Sequence, residues 1–193
     1  MGKIIAFESV TLDGVMQAPG RPDEDTRGGF DQGGWAAPYA DAVAMEMAGQ
    51  GMATTGGILL GRRTYEDFHG FWPNQGDNPF TDALNRTQKY VASTTMREPL
   101  PWQNSTLLEA DAADAVAGLK EQEGGDIVLL GSGELARSLI GRGLIDEYVL
   151  LIHPLVLGSG RRLFEDDGPQ LSLQLFDSKP TTTGVIIATY RPR

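Results

Sequence analysis

The chain has 193 residues, of which 40% are hydrophobic and 22% charged, and these values are typical of a single globular domain spanning residues 1–193. Its formal net charge of −10 argues against a nucleic-acid-binding surface, which needs clustered lysine and arginine. The absence of cysteine excludes disulfides and thiolate metal sites, and with only two histidines no metal site is expected. No apolar run approaches the length of a membrane span, so we expect a cytoplasmic protein that does not bind a membrane.

Predicted strands and helices alternate over most of the chain. The first strand covers residues 4–9, a long polar loop extends from about residue 17 to residue 34, and a helix covers 38–49. Further strands are predicted at 56–61, 89–93, 106–108, 127–130, 147–155, 171–176 and 184–191, and further helices at 62–68, 79–86, 111–123 and after Gly133. Because no helix separates the last two strands, we predict an α/β, three-layer α-β-α fold. Its mixed sheet should have a parallel centre and antiparallel C-terminal strands.

The segment from residue 126 to residue 140 combines a buried strand, a glycine turn and a helix. Four consecutive branched apolar residues, Ile127–Leu130, suit a strand that is covered on both faces. Gly131 and Gly133 allow a turn that leaves backbone N–H groups accessible, and these groups favour a bound phosphate at the start of the helix. A tight connection that binds nothing is equally compatible with this segment alone.

Two other strand ends carry groups that suit a phosphate. After Gly61 come Arg62, Arg63 and Thr64, which can donate hydrogen bonds to an anion, although both arginines could simply be solvated. Ser93 and Thr94 close the next strand. Open α/β sheets bind ligands at the carboxyl ends of their strands. A dinucleotide would use all three segments, whereas a single phosphate would not need them.

These segments also resemble a known superfamily. Residues 60–66, Leu-Gly-Arg-Arg-Thr-Tyr-Glu, look like the glycine-arginine-x-threonine-aromatic-glutamate segment of dihydrofolate reductases. Residues 9–14, 143–147 and 154–160 resemble, in order, segments of the reductase domain of bacterial riboflavin biosynthesis. The chain is therefore identified as a member of the dihydrofolate-reductase-like superfamily, closest to the C-terminal reductase domain of the bifunctional protein RibD.

The resemblance implies that NADPH binds in an extended pose. It assigns residues 61–64 to the adenosine phosphate and the pyrophosphate, residues 93–94 to the adenine ribose and its 2′-phosphate, and residues 131–135 to the other side of the pyrophosphate. The first strand, around residues 6–9, would lie behind the nicotinamide. The implied cofactor-binding residues are Ser9, Gly61, Arg62, Arg63, Thr64, Ser93, Thr94, Gly131, Ser132, Gly133, Glu134 and Leu135.

The substrate half matches less closely. Gly131-Ser132 replaces the Gly-Gly pair whose peptide bond is strained in folate enzymes, which leaves its conformation open. Those enzymes carry an acid in the first helix, and Asp41 falls in the corresponding helix. In a partly apolar pocket its pKa would be raised and it could relay a proton, whereas a solvated helix-start aspartate would do neither. Glu46 is a second candidate acid.

The candidate substrate-binding residues are Asp13, Trp35 and His153, and the pair Arg161-Arg162 is either a substrate-phosphate site or a surface pair. The resemblance implies an NADPH-dependent reductase of a small heterocyclic substrate, and its relatives suggest a homodimer. The closest named activity is 5-amino-6-(5-phosphoribosylamino)uracil reductase. Dihydrofolate reductase activity and a non-catalytic nucleotide-binding module of the same fold are the alternatives.

Overall fold

The computed structural model describes residues 2–76, 79–109, 111–122, 124–166 and 168–193. Short 3-10 turns occur at Arg27–Gly29, Ala37–Tyr39 and Trp72–Asn74. The strands in these ranges are β1 (Ile4–Thr11), β2 (Gly57–Gly61), β3 (Lys89–Ala92), β4 (Ser105–Leu108), β5 (Ile127–Leu130), β6 (Glu147–His153), β7 (Leu173–Pro180) and β8 (Ile186–Pro192). The α-helices are α1 (Ala42–Thr54), α2 (Arg62–Phe71), α3 (Pro79–Arg86), α4 (Ala112–Glu121) and α5 (Gly133–Gly141).

All eight of these strands belong to one sheet, in the order β4-β3-β2-β5-β1-β6-β8-β7. The six strands from β4 to β6 are parallel, whereas β8 runs antiparallel to β6 and β7 runs antiparallel to β8. The predicted mixed sheet, with a parallel centre and antiparallel C-terminal strands, is therefore confirmed. Parallel neighbours align their carboxyl ends, so the loops after β3, β2, β5 and β1 open on the same edge.

Two helical layers cover the sheet. Helices α4 and α5 pack on one face, where Val116 and Leu139 join Leu59 and Leu129 in the larger hydrophobic core. On the other face, residues of α1, α2 and α3 pack against alternate positions of the same strands, in the cluster of Met52, Ile58, Leu60, Tyr65, Leu84, Val91 and Trp102. Since strand side chains alternate between faces, strands covered on both sides must be apolar throughout.

Several predicted boundaries were wrong. Helix α1 begins at Ala42 rather than at residue 38, because Pro38 lies in a separate 3-10 turn and Asp41 caps the helix. Strand β6 ends at His153 rather than at residue 155, since Pro154 has no N–H to donate to a ladder. Strand β7 begins two residues later than predicted and ends four residues later. Residue 123, the predicted end of α4, lies outside the described residues.

Within the described ranges, every helix is too short or too polar to cross a lipid bilayer.

Candidate functional site

A cleft of about 920 Å³ opens at the carboxyl edge of the parallel strands. Its walls come from the ends of β1, β2, β3 and β5, the first turns of α2 and α5, and part of the long loop between β1 and α1. The residues of the implied cofactor set all line this cleft: Ser9, Gly61, Arg62, Arg63, Thr64, Ser93, Thr94, Gly131, Ser132, Gly133, Glu134 and Leu135. The parallel register therefore brings together segments that are more than 120 residues apart in the chain.

The two helices that begin at the cleft have no side-chain cap. The N-cap residues of α2 and α5, Gly61 and Ser132, make no capping hydrogen bond. By contrast, Asp41 and Asp111 cap α1 and α4 by accepting backbone N–H groups. The first N–H groups of an α-helix lack an acceptor within the helix and favour an anion. Both first turns at the cleft are thus available to bind phosphate.

Ser132 connects these two helix starts. Its Oγ accepts the N–H of Gly61 at 2.7 Å and lies 2.9 Å from the Thr64 Oγ1, to which it can donate. Ser132 and Gly131 both have positive φ, 61° and 55°, and the peptide bond between them is trans. A non-glycine residue in this region is strained. The hydrogen bonds from its hydroxyl offset that strain and fix the spacing of the two first turns.

Three arginines converge on the carboxylate of Glu134 in the first turn of α5. Its Oε1 lies 3.0 Å from Arg63 Nη1 and 3.2 Å from the Nη1 atoms of Arg27 and Arg161. Partial burial alone would raise the pKa of Glu134, but Arg63, Arg27 and Arg161 hold it below its ordinary value. The carboxylate therefore occupies donors that would suit a phosphate. Arg62 instead pairs with Glu66, one turn further along α2.

Two of these arginines were not part of the implied cofactor set. Arg27 lies in the long polar loop, where nothing in the local pattern distinguishes it from other loop residues. The sequence predicts Arg161 either as a substrate-phosphate ligand or as part of a surface pair. Its position after the glycine-rich turn at 158–160 was the one available signal.

Glu8 is a buried acid in the wall of the same cleft. Its side chain belongs to β1, the residue is 3% exposed, and its Oε1 has no hydrogen-bond partner among the described residues. Burial raises the pKa of Glu8 well above its ordinary value, although the N–H of Gly131 opposes part of this rise. Glu8 was not predicted. The available signal was its place in the inward-facing series Ile4, Ala6, Val10, in which it is the only polar member.

A second acidic group lies at another part of the cleft wall. Glu24 and Asp67 flank Arg21, whose guanidinium donates a hydrogen bond to the Asp67 carboxylate. Burial raises the pKa of both carboxyls, and Arg21 opposes the rise. These groups add protonatable carboxyls to the cleft beside its cationic side.

The structure places Asp41 at the N-terminus of α1, as its N-cap residue. Its carboxylate accepts the Val43 N–H at 2.7 Å, the Thr182 N–H at 2.9 Å and the Thr182 hydroxyl. The Thr182 hydroxyl above all, with these N–H groups, lowers the pKa of Asp41, which agrees with the helix-start alternative and not with the raised pKa of an acid in an apolar pocket. Asp41 does not line the cleft, and its contacts are those of a helix cap that also anchors the loop between β7 and β8. Glu46 is likewise not among the cleft residues.

The three candidate substrate-binding residues are also outside the cleft wall. Trp35 is buried, donates from Nε1 to the Gln17 carbonyl at 2.7 Å, and packs edge-on against His153. Burial lowers the pKa of His153, and its Nδ1 lies 3.0 Å from the Leu151 carbonyl. Asp13 accepts the Thr11 hydroxyl, which lowers its pKa, and the N–H groups of residues 157 and 158. These contacts stabilise the turn after β1 and the loop after β6.

An apolar groove of about 450 Å³ adjoins the cleft beneath α1. Its floor is formed by β1, β5 and β6, and its roof by residues of α1 such as Met47 and Met52. Phe7, Phe80 and Leu130 line both spaces. The groove and the cleft therefore share wall residues at β1 and β5, and the apolar lining of the groove suits a flat ring.

Known proteins resemble this chain in sequence or in structure. The YyaP protein of Bacillus subtilis (strain 168), which is uncharacterised, is 31% identical over 138 residues, 69% of this chain and 72% of that protein. A putative riboflavin biosynthesis protein from Shewanella sp. PV-4 superposes with a TM-score of 0.67 and 23% identity over 99% of both chains. Dihydrofolate reductase from Enterococcus faecalis, solved with NADP(H), superposes with a TM-score of 0.62 and 13% identity, over 100% of this chain and 97% of that one.

The two structural likenesses establish a dihydrofolate-reductase-like fold for this chain, as predicted. The model of the family described as "RibD C-terminal domain" matches residues 2–187, which is nearly the whole sequence. The chain belongs to the RibD C-terminal domain family.

Proposed function

We propose that this protein is an NADPH-dependent reductase that transfers hydride to a small heterocyclic substrate. The observation that carries the proposal is the pair of uncapped helix N-termini, α2 and α5, which open on one cleft beside a cluster of arginines. Membership of the RibD C-terminal domain family supports it. Anion donors at two adjacent strand ends suit a pyrophosphate better than a single phosphate.

The order of the strands fits an extended dinucleotide. Strands β3, β2, β5 and β1 are consecutive neighbours, so their carboxyl ends span about 14 Å at the usual strand spacing. Ser93 and Thr94 at the end of β3 suit the adenosine end, and the first turns after β2 and β5 suit the phosphates. The nicotinamide end would then lie near β1, where Glu8 and Ser9 line the cleft.

Each group has a separate role in this arrangement. The first N–H groups of α2 and α5 and the Thr64 hydroxyl donate to phosphate oxygens, while Arg63 supplies positive charge. Ser132 holds the two helix starts at a fixed separation. The side chain of Glu134 is anionic and would repel phosphate, so its contribution is its backbone N–H. The bound nicotinamide would supply the hydride.

The substrate would occupy the apolar groove beneath α1, because this groove meets the cleft near the proposed nicotinamide end. Its walls favour a flat ring such as a pyrimidine or a pterin. We propose 5-amino-6-(5-phosphoribosylamino)uracil as the first substrate to test and dihydrofolate as the second.

A non-catalytic nucleotide-binding module is the second candidate. One observation favours it: Asp41, the predicted catalytic acid, is fully engaged as a helix cap and lies outside the cleft. The two functions differ in turnover. Oxidation of NADPH that depends on either test substrate supports the reductase, whereas tight NADPH binding without turnover of any heterocycle supports the binding module.

The first experiment is a titration with NADPH followed by nicotinamide fluorescence. Arg63→Ala should weaken binding about tenfold, since a charge-assisted hydrogen bond contributes about 1.5 kcal/mol or more. Arg142→Ala is the matched control, because Arg142 pairs with Asp114 outside the cleft and should leave the affinity unchanged. If neither Arg62→Ala nor Arg63→Ala weakens binding by about threefold, the assignment of the phosphates to α2 is wrong.

We also propose that the protein is a homodimer. Strand β7 lies at the edge of the sheet and exposes Leu175 and Phe176, which are 51% and 62% accessible. Exposed apolar edge strands associate readily. Sedimentation velocity should give the mass of two chains, and Phe176→Glu should reduce it to one. A monomeric wild-type protein at micromolar concentration would contradict this part of the proposal.

A further inference from the structure

Glu8 is an acid of β1 that faces the side of the sheet covered by α4 and α5. Strand residues alternate, and Ile4, Ala6 and Val10 on the same face all belong to the core beneath α4 and α5. Glu8 pairs with Leu150 on β6, and on the other side β5 ends beside it, since Phe7 pairs with Leu130. Its carboxyl thus lies in the wall of the cleft, enclosed by apolar neighbours, with its Oε1 unpartnered among the described residues.

Within the described part of the chain, Glu8 forms no ion pair with a cation. The surrounding elements carry these titratable and charged side chains: Asp13, Arg21, Asp23, Glu24, Asp25, Arg27 and Asp31 after β1, Asp114, Lys120 and Glu121 in α4, Glu134 and Arg137 in α5, Glu147, Tyr148 and His153 in β6, and Arg161 and Arg162 after it. Every cation among them lies within 4 Å of another carboxylate: Arg21 of Asp67, Arg27 of Asp25, Lys120 of Asp146, Arg137 of Glu165, Arg161 of Glu134, and Arg162 of Asp13. Burial, opposed only by the Gly131 N–H, raises the pKa of Glu8 and so favours its neutral form.

An unpaired neutral acid responds strongly to a new positive charge. An opposite charge within about 4–6 Å lowers the pKa of a carboxyl by about one to three units. Of the two forms of the cofactor, only the oxidised form carries a positive charge on the nicotinamide ring. If the ring lies at the β1 end of the cleft, the redox state of the cofactor and the protonation of Glu8 must be coupled.

We propose that Glu8 is a charge-compensating carboxyl, protonated beside the reduced nicotinamide and ionised beside the oxidised one. The inference rests on the proposed function. Once the substrate has accepted the hydride, the O–H bond of Glu8 would break and its proton would pass to solvent, so that a carboxylate faces the positive charge of the oxidised nicotinamide. When the oxidised cofactor leaves, the carboxylate takes a proton back from solvent, so the cycle balances. Glu8 therefore acts through the cofactor, as a positioning residue.

The test compares the dissociation constants of NADP⁺ and NADPH from about pH 6 to about pH 8.5. Their ratio cancels the titration of the shared phosphates and of distant groups. In the wild-type protein the dissociation constant of NADP⁺ divided by that of NADPH should fall as pH rises. The fall should reach about tenfold per pH unit where Glu8 is neutral in the NADPH complex and ionised in the NADP⁺ complex. In Glu8→Gln the ratio should be independent of pH. Glu24→Gln is the matched control, because Glu24 is another cleft carboxyl with a raised pKa, and it should keep the wild-type slope.

A ratio that is flat in the wild type, or a slope that survives in Glu8→Gln, would overturn the role of Glu8 while leaving the proposed function intact. Failure of both nucleotides to bind at about 1 mM would overturn the proposed function and this role together. If Glu8→Gln does not fold, calorimetry of the Glu24→Gln protein in two buffers of different ionisation enthalpy decides. More proton release with NADP⁺ than with NADPH supports the inference, and equal release refutes it.

Discussion

Glu134 offers the sharpest test of the anion site, because its carboxylate already interacts with the arginines that a phosphate would need. Three guanidinium groups lie within 3.2 Å of its Oε1. Replacing the carboxylate by the isosteric amide in Glu134→Gln removes one negative charge and keeps the backbone N–H groups of α5. NADPH and inorganic pyrophosphate should both bind more tightly to this variant.

The size of the effect follows from exposure. The Glu134 side chain is 62% exposed and its arginine partners are 34% to 51% exposed, so solvent screens each pair. Exposed ion pairs contribute about 0.2–1 kcal/mol each. In the wild-type protein, the interaction of a phosphate with the arginines is partly offset by the loss of their ion pairs with Glu134. A net gain of about 0.7–1.4 kcal/mol corresponds to affinity that is about three- to tenfold higher. The gain should shrink as salt screens the arginines.

Isothermal titration at low and high ionic strength measures this effect. Asp114→Asn is the control for net charge, since it removes the same charge from the pair with Arg142, outside the cleft. The Asp114→Asn variant should bind NADPH and pyrophosphate with the affinities of the wild-type protein. Weaker binding to Glu134→Gln would show that the carboxylate itself contacts the nucleotide, for example at a ribose hydroxyl, and would refute the competition argued above.

Three further predictions follow from the same geometry. NADPH should bind at least about tenfold more tightly than NADH at low salt, because Arg62 and the strand ends beside it favour the 2′-phosphate, and equal dissociation constants would refute this. Ser132→Ala should lower the free energy of unfolding by about 1 kcal/mol, since the Gly61 N–H loses its acceptor; urea denaturation measures it, with Ser138→Ala as control. Asp41→Ala should lower the melting temperature and leave NADPH affinity within about twofold, whereas a tenfold loss would return Asp41 to the site.

The stability of the protein should also depend on Glu8. The pKa of Glu8 in the folded state is raised above its ordinary value of 4.5. The contribution of Glu8 to the free energy of unfolding is therefore fully present below pH 4.5 and is lost as pH rises through the folded-state pKa. Within this window each pH unit costs about 1.4 kcal/mol. Glu8→Gln should remove the loss and be more stable, relative to wild type, at pH 7 than at pH 4. Parallel curves for both proteins in urea denaturation would contradict the buried neutral acid.

The central strands could be predicted because their signal is local. Strands β2 and β5 are short apolar runs bounded by glycine, and only a strand covered on both faces requires that composition. The start of α1 could not be predicted in this way. Residues 36–48 contain many helix-forming alanines, but the helix begins after Asp41, whose carboxylate is held by Thr182, 141 residues further along the chain. A tertiary contact at that separation has no signature in the local sequence.

The same distinction divides the candidate site. The strand ends at Gly61, Ser93 and Gly131 could be recognised because each is a strand followed by polar or glycine residues in one short segment. Arg27 could not, since it meets Glu134, 107 residues away, only when the long loop folds over α5. Glu8 was missed for a related reason. One polar residue in an apolar strand becomes informative only once its face is known to be buried.

The helix caps show how the fold separates structural helix starts from those available to a ligand. Aspartate at the N-cap accepts first-turn N–H groups of α1 and α4, so these N–H groups are not available to a ligand. At α2 the N-cap is glycine and the next two residues are arginines, although cations are unfavourable at a helix N-terminus. At α5 the N-cap is a serine whose hydroxyl is directed to the neighbouring strand end instead of its own helix. Both departures from good capping occur at one cleft, and a bound anion would compensate both.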